Sequence, residues 1–110
     1  MNDTSISILG ELYTIYIRRT EDDANLKDSD GYTDFSAKEI VMRDINSISF
    51  TIKNPMVYWN KVLRHEILHA FIRESGICEY FDEMDEEQIV DWVAYQFPKI
   101  QKVYEGLGIL

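Results

Sequence analysis

Both histidines of the chain fall in one five-residue stretch, His65-Glu66-Ile67-Leu68-His69, and this stretch constrains the molecule more than any other. A helix turns about 100° per residue, so side chains four apart stack on one face. On a helix, His65 and His69 present their imidazoles together, the spacing that two nitrogen ligands of Zn²⁺ need. Glu66 falls on the flank of that face. There it can meet a water at the metal without ligating the metal itself. The pattern carries this chemistry only on a helix, so it also dictates the local structure.

The flanking residues read as that helix. Asn54-Pro55 is a start, with Asn as the N-cap and Pro at the first helical position. Gly76 is a stop, because glycine takes the left-handed conformation just past a helix end. Between them, Val57, Tyr58, Trp59, Val62, Leu63, Ile67, Leu68, Ala70, Phe71 and Ile72 cover nearly the whole wheel. A helix apolar all round is expected to be buried. Two histidines and a glutamate on a buried helix need partners, and a metal with its water supplies them.

A chain of 110 residues is expected to form one domain, residues 1–110, with one modest core. Hydrophobic content of 45% with 13% aromatic residues places it among globular chains. The start, Met1-Asn2-Asp3-Thr4, is polar and acidic, unlike a signal peptide, and no apolar run approaches membrane-spanning length. A cytoplasmic location is expected, and the single cysteine, Cys78, suits a reducing compartment. The net charge of -9 excludes general electrostatic binding of nucleic acid. It leaves a solvated surface, a nucleic-acid mimic or a dock for a basic partner. Two acidic clusters stand out: Glu21-Asp22-Asp23 with Asp28 and Asp30, and Glu79 through Glu87.

The first half reads as β-rich and the second as helical. Leu12 to Ile17 is aromatic and β-branched, a strand. Residues 19–31 form a polar loop. Tyr32-Thr33-Asp34 and Lys38 to Met42 are the arms of a hairpin around Phe35-Ser36-Ala37. Residues 43–53 fit either a strand or an apolar loop over the core. After the motif helix, Asp85-Glu86-Glu87-Gln88 is a capping-box start. The second helix is expected over about residues 86–97, interrupted by Pro98, with a short amphipathic piece to about Tyr104.

A zinc site of this type needs a third protein ligand. The chain has no third histidine, so the ligand is a carboxylate or Cys78. Glu87, 18 residues past His69, leaves room for the rest of the first helix, a reversal and a new helix start. Glu86, Asp91 and Glu83 are alternatives, and Asp91, one turn beyond Glu87, could instead orient a ligand histidine. Glu86 and Glu87 also suit the helix dipole without any metal.

With these residues in view, the chain resembles a family. His65 to Phe71, followed by Glu86-Glu87-Gln88-Ile89-Val90-Asp91-Trp92-Val93-Ala94, looks like the small phage- and prophage-encoded metallopeptidases related to ImmA/IrrE. It is also similar to the minimal gluzincins, which hold zinc by two histidines and a glutamate on a following helix. In the ImmA/IrrE pattern the glutamate ligand precedes a small residue and an Asn by three and four positions. Val90 and Asp91 stand at those places here, which carries the ligand over to Glu87. The resemblance spans roughly residues 10–100. It implies an α+β, zincin-like fold: a small twisted antiparallel sheet packed on the HExxH helix, followed by the helix carrying the third ligand. One strand would run above the metal and pair with an extended peptide, and Lys38 to Met42 is the segment expected there.

The expected chemistry is zinc-dependent peptide hydrolysis in a specific partner protein, with the metal on His65, His69 and Glu87 and with Glu66 as general base. Tyr32, Tyr80 and Tyr95 are candidate donors to the oxyanion. The competing expectation is a non-catalytic zinc-containing acidic module that docks a basic host protein or occupies its nucleic-acid site. A base beside the metal is of no use to such a module, so Glu66 favours the enzyme.

Overall fold

The computed structural model describes residues 1–110, with the side chain of Glu86 outside the described set. Strands β1 (Thr4–Ile8) and β2 (Glu11–Arg18) form an antiparallel hairpin. Its two-residue turn, Leu9-Gly10, has both φ angles positive, +50° and +89°, the primed geometry whose twist matches that of paired strands. After two short 3₁₀ turns come β3 (Gly31–Asp34) and β4 (Glu39–Arg43), the antiparallel hairpin read in the sequence. Asp34 closes that hairpin by accepting hydrogen bonds from the backbone N–H groups of Ser36 and Ala37.

The sheet order is β1-β2-β4-β3, and β2 runs parallel to β4. The expected antiparallel sheet is therefore a mixed one. The reason lies in the connection: residues 19–30 cross over and deliver the second hairpin with β4, not β3, against β2. This also corrects the strand expected to meet an extended peptide. Lys38 to Met42 lies between two strands, with both edges paired, so it has no free backbone to offer. The edge strands are β1 and β3, and β3 is the one that borders the motif helix at Glu66.

Helix α1 spans Pro55–Glu74 and carries the caps expected of it. The Asn54 side chain accepts from Val57 N, and Gly76 sits at φ +76°. Trp59, Leu63, Glu66, Ile67, Ala70 and Phe71 form its buried stripe, packed on Ile8, Tyr13, Ile15, Ile40 and Met42 of the sheet. Close packing is visible at Gly31, where a Cβ would lie 2.8 Å from Met42 Sδ. Arg43 ends β4, and residues 44–53 form no further strand. They hold one 3₁₀ turn (Ile45–Ser47), and along this segment Ile45, Ile48 and Ile52 reach the core while Phe50 is 97% exposed.

Helix α2 runs unbroken from Glu86 to Leu107, through Pro98. The interruption expected at Pro98 does not occur. A proline removes one backbone donor and bends a helix, but Ile100, Val103, Tyr104 and Leu107 pack into the core just beyond it and carry the helix onward. Gly108 at φ +69° ends it, with Gly108 N donating to Glu105 O and Ile109 N to Tyr104 O, the paired bonds of a Schellman cap. Ile109 is buried, and its carbonyl accepts from Arg64 of α1 at 2.5 Å. Tyr104 Oη donates to Arg64 O at 2.8 Å. No helix is long and apolar enough to cross a membrane.

Candidate metal centre

Helix geometry brings His65 and His69 together, one turn apart on α1. Their Nε2 atoms stand 3.0 Å apart, and the rings meet edge to face with centroids 4.6 Å apart. Two Zn–N bonds of about 2.05 Å at a tetrahedral angle span about 3.3 Å between nitrogens. The pair thus converges on a point a metal can occupy. Both rings are exposed, which corrects the expectation of a wholly buried helix. The core stripe covers one face of α1, and the histidines lie well round from it. Burial therefore does not force a partner on the imidazoles; their mutual approach is the observation that bears on a metal.

Glu66 lies between that open face and the sheet. It is 8% exposed, and among the described residues it is the only buried charged side chain. A buried carboxylate needs a donor, and the donor is Thr33 of β3. The Thr33 hydroxyl is 2.9 Å from Glu66 Oε1 and 3.2 Å from the Glu66 carbonyl oxygen. Thr33 was not legible as a site residue. Its contact spans 33 positions of chain and is set by how β3 docks on α1. The same strand carries one of the two free edges of the sheet, and a shallow groove along it is lined by Asn25, Tyr32, Thr33, Asp34, Phe35 and Ser36. A more enclosed cavity opens near the N-terminal end of α1, beside Met56, Trp59 and Ile109, and contains none of the motif side chains.

The remaining candidates stand elsewhere. Glu87 is exposed in the first turn of α2, Asp91 is exposed one turn on, Glu83 is exposed before the helix, and Cys78 is half-buried in the linker. The alternative Glu86 has its side chain outside the described residues. Among the described residues, no three His, Cys, Asp or Glu side chains are grouped closely enough to hold a metal ion. Of the tyrosines, Tyr80 and Tyr95 are exposed, and Tyr32 donates to Asp23. Successive strand residues point to opposite faces, so Tyr32 faces away from the side on which Thr33 meets Glu66. His65, His69 and Glu66 are therefore brought together, and none of the described candidates for a third ligand is grouped with the two histidines.

A second polar cluster closes the far end of α1. Glu74 accepts from Tyr13 Oη at 2.7 Å and from Lys38 Nζ at 2.9 Å. The bond from Tyr13, then that from Lys38, holds the Glu74 carboxyl below the usual carboxylate range. Burial first, then Glu74, pushes the Tyr13 phenol up. This cluster ties the helix end to β2 and to the β3–β4 turn; it adds nothing to the histidine pair. Comparison with protein families, curated proteins and solved structures finds no match to this chain.

Proposed function

We propose that the chain is a zinc-dependent endopeptidase of the kind its motif resembles, acting on a peptide bond of a specific partner protein. The observation that carries this reading is the convergence of His65 and His69 Nε2 at 3.0 Å beside a buried glutamate. The donor set fits zinc at two positions, and its third ligand would be a carboxylate from the start of α2, Glu87 first. That ligation requires the first turn of α2 to close on α1. Zinc bound there would supply Lewis acidity and a water acidified towards neutrality.

The other roles belong to the chain. Glu66 accepts the proton of the attacking water and passes it to the leaving amine. Thr33 holds Oε1, which fixes the carboxylate and leaves Oε2 for the water. The free edge of β3 is the backbone available to an extended peptide, which would add to the sheet as a further strand beside Thr33.

The test is cleavage of a degenerate peptide library by the zinc-loaded protein, read by mass spectrometry, with Glu66→Gln alongside. The expected result is cleavage by the wild type and loss by a factor of about 100 or more in the variant. Cleavage by Glu66→Gln at the wild-type rate would overturn the assignment of the base, and the absence of cleavage by zinc-loaded wild type would overturn the peptidase.

A further inference from the structure

Helix α2 has two different halves. Beyond Pro98 it buries its apolar side chains in the core. Before Pro98 only Trp92 packs against that core, and a second face of the helix is left open. Val90, Val93 and Phe97 are 52%, 46% and 53% exposed, and their spacing of three and four places them on one helical face. A merely solvated flank would carry polar residues at those positions. Three large apolar side chains in a row, about 10 Å long, form instead the kind of stripe that marks an interaction surface.

The charge around the stripe says what fits it. Residues 75–98 contain seven acidic residues and no Lys or Arg. Glu87 and Asp91 lie about 60° and 100° round the helix from Val90, alongside the stripe on its solvent side. Glu79, Asp82 and Glu83 are exposed just before the helix. A second copy of the chain would bring like charge against like. Nucleic acid and anionic membranes are repelled for the same reason. A cationic protein surface with an apolar row of its own is matched on both counts. Two helical turns of exposed stripe suit the i, i+3, i+7 row of a facing helix.

We propose that the Val90–Val93–Phe97 face of α2 docks a basic amphipathic helix of a partner protein. The proposal does not rest on the zinc site and holds whether or not the chain cleaves peptides. Its docking face is distinct from the free edge of β3, so a partner held on α2 can be a protein other than the one that lies along the sheet.

The probe is a fluorescein-labelled peptide of about 18 residues with leucines along one face and lysines on the rest. A control peptide keeps every lysine and replaces the leucines by serine. Both are titrated into the full chain, zinc-loaded and with zinc chelated. The leucine peptide should bind in both states, weaken as salt rises, and perturb backbone amide resonances over residues 87–97. The Val93→Ser/Phe97→Ser double variant, checked for native helical signal, should weaken it by a factor of about ten or more. Glu83→Gln with Asp82→Asn, which leave α2 untouched, should weaken it and flatten the salt dependence. Four results would overturn the proposal: equal affinity for the serine peptide, amide perturbations outside α2 only, self-association in sedimentation that the double variant abolishes, or binding to phosphatidylserine vesicles that the double variant abolishes. Absence of peptide cleavage by the zinc-loaded chain with docking intact would count against the peptidase and not against this surface.

Discussion

The candidate site draws on four side chains: His65, Glu66, His69 and Thr33. The three from the motif are fixed by helix geometry, and their mutual placement was legible from the spacing alone. Thr33 was not, because nothing in the residues around it marks it as the donor to a carboxylate on a helix 33 positions away. Its role yields a prediction. Thr33→Val removes the hydroxyl and keeps the β-branched shape. It leaves Glu66 buried without its donor, at a cost of about 1–3 kcal/mol in stability, while Thr33→Ser should restore most of it. Paired denaturant titrations check this, and equal stability of the Val and Ser variants would show that the hydrogen bond contributes nothing.

At the scale of elements, the strongest signals were terminators. Asn54-Pro55, Gly76 and the Asp85/Gln88 box act through bonds within four residues, and each appears as expected. Asp85 accepts from Gln88 N at 2.9 Å while the Gln88 side chain accepts from Asp85 N at 3.0 Å. Asp85→Ala should therefore cost about 1 kcal/mol, read as a shift in the denaturation midpoint with an unchanged slope. The misreadings have the opposite character. The run through Pro98 depends on core contacts made by residues beyond it, and the parallel β2–β4 pairing depends on where a crossover lands. Strand β1 is short and at the edge of the sheet, and its only sequence signal is the alternation of Ile6 and Ile8 with Ser5 and Ser7 in a period of two. The apolar wheel of α1 implied burial on every side, and the sheet covers only one.

At the scale of the molecule, acid and metal removal are expected to act on different parts. Glu74 has a lowered pKa in the folded chain, caused first by the Tyr13 hydroxyl and next by Lys38. A carboxyl depressed by folding contributes stability that is present above its unfolded value, near 4.5, and is lost as pH falls through the lower folded value. Thermal melts should therefore decline on acidification below about pH 4.5, and Glu74→Gln should decline less steeply than wild type over that window. An identical acid profile would remove the cluster from the account. Removing zinc is expected to lower the melting temperature by mass action without unfolding the chain, because the sheet and α1 share a core that does not depend on the metal. Circular dichroism after chelation checks this, and loss of most helical signal at room temperature would make the metal structural.

The converging histidines are proposed to hold zinc. The most direct measurement is the zinc content of the purified protein, by elemental analysis, for wild type, His65→Ala and His69→Ala at equal protein concentration. Stoichiometric zinc is expected in the wild type and its loss is expected in both variants, with native helical signal retained. Zinc retained by His65→Ala at the wild-type level would contradict the proposal.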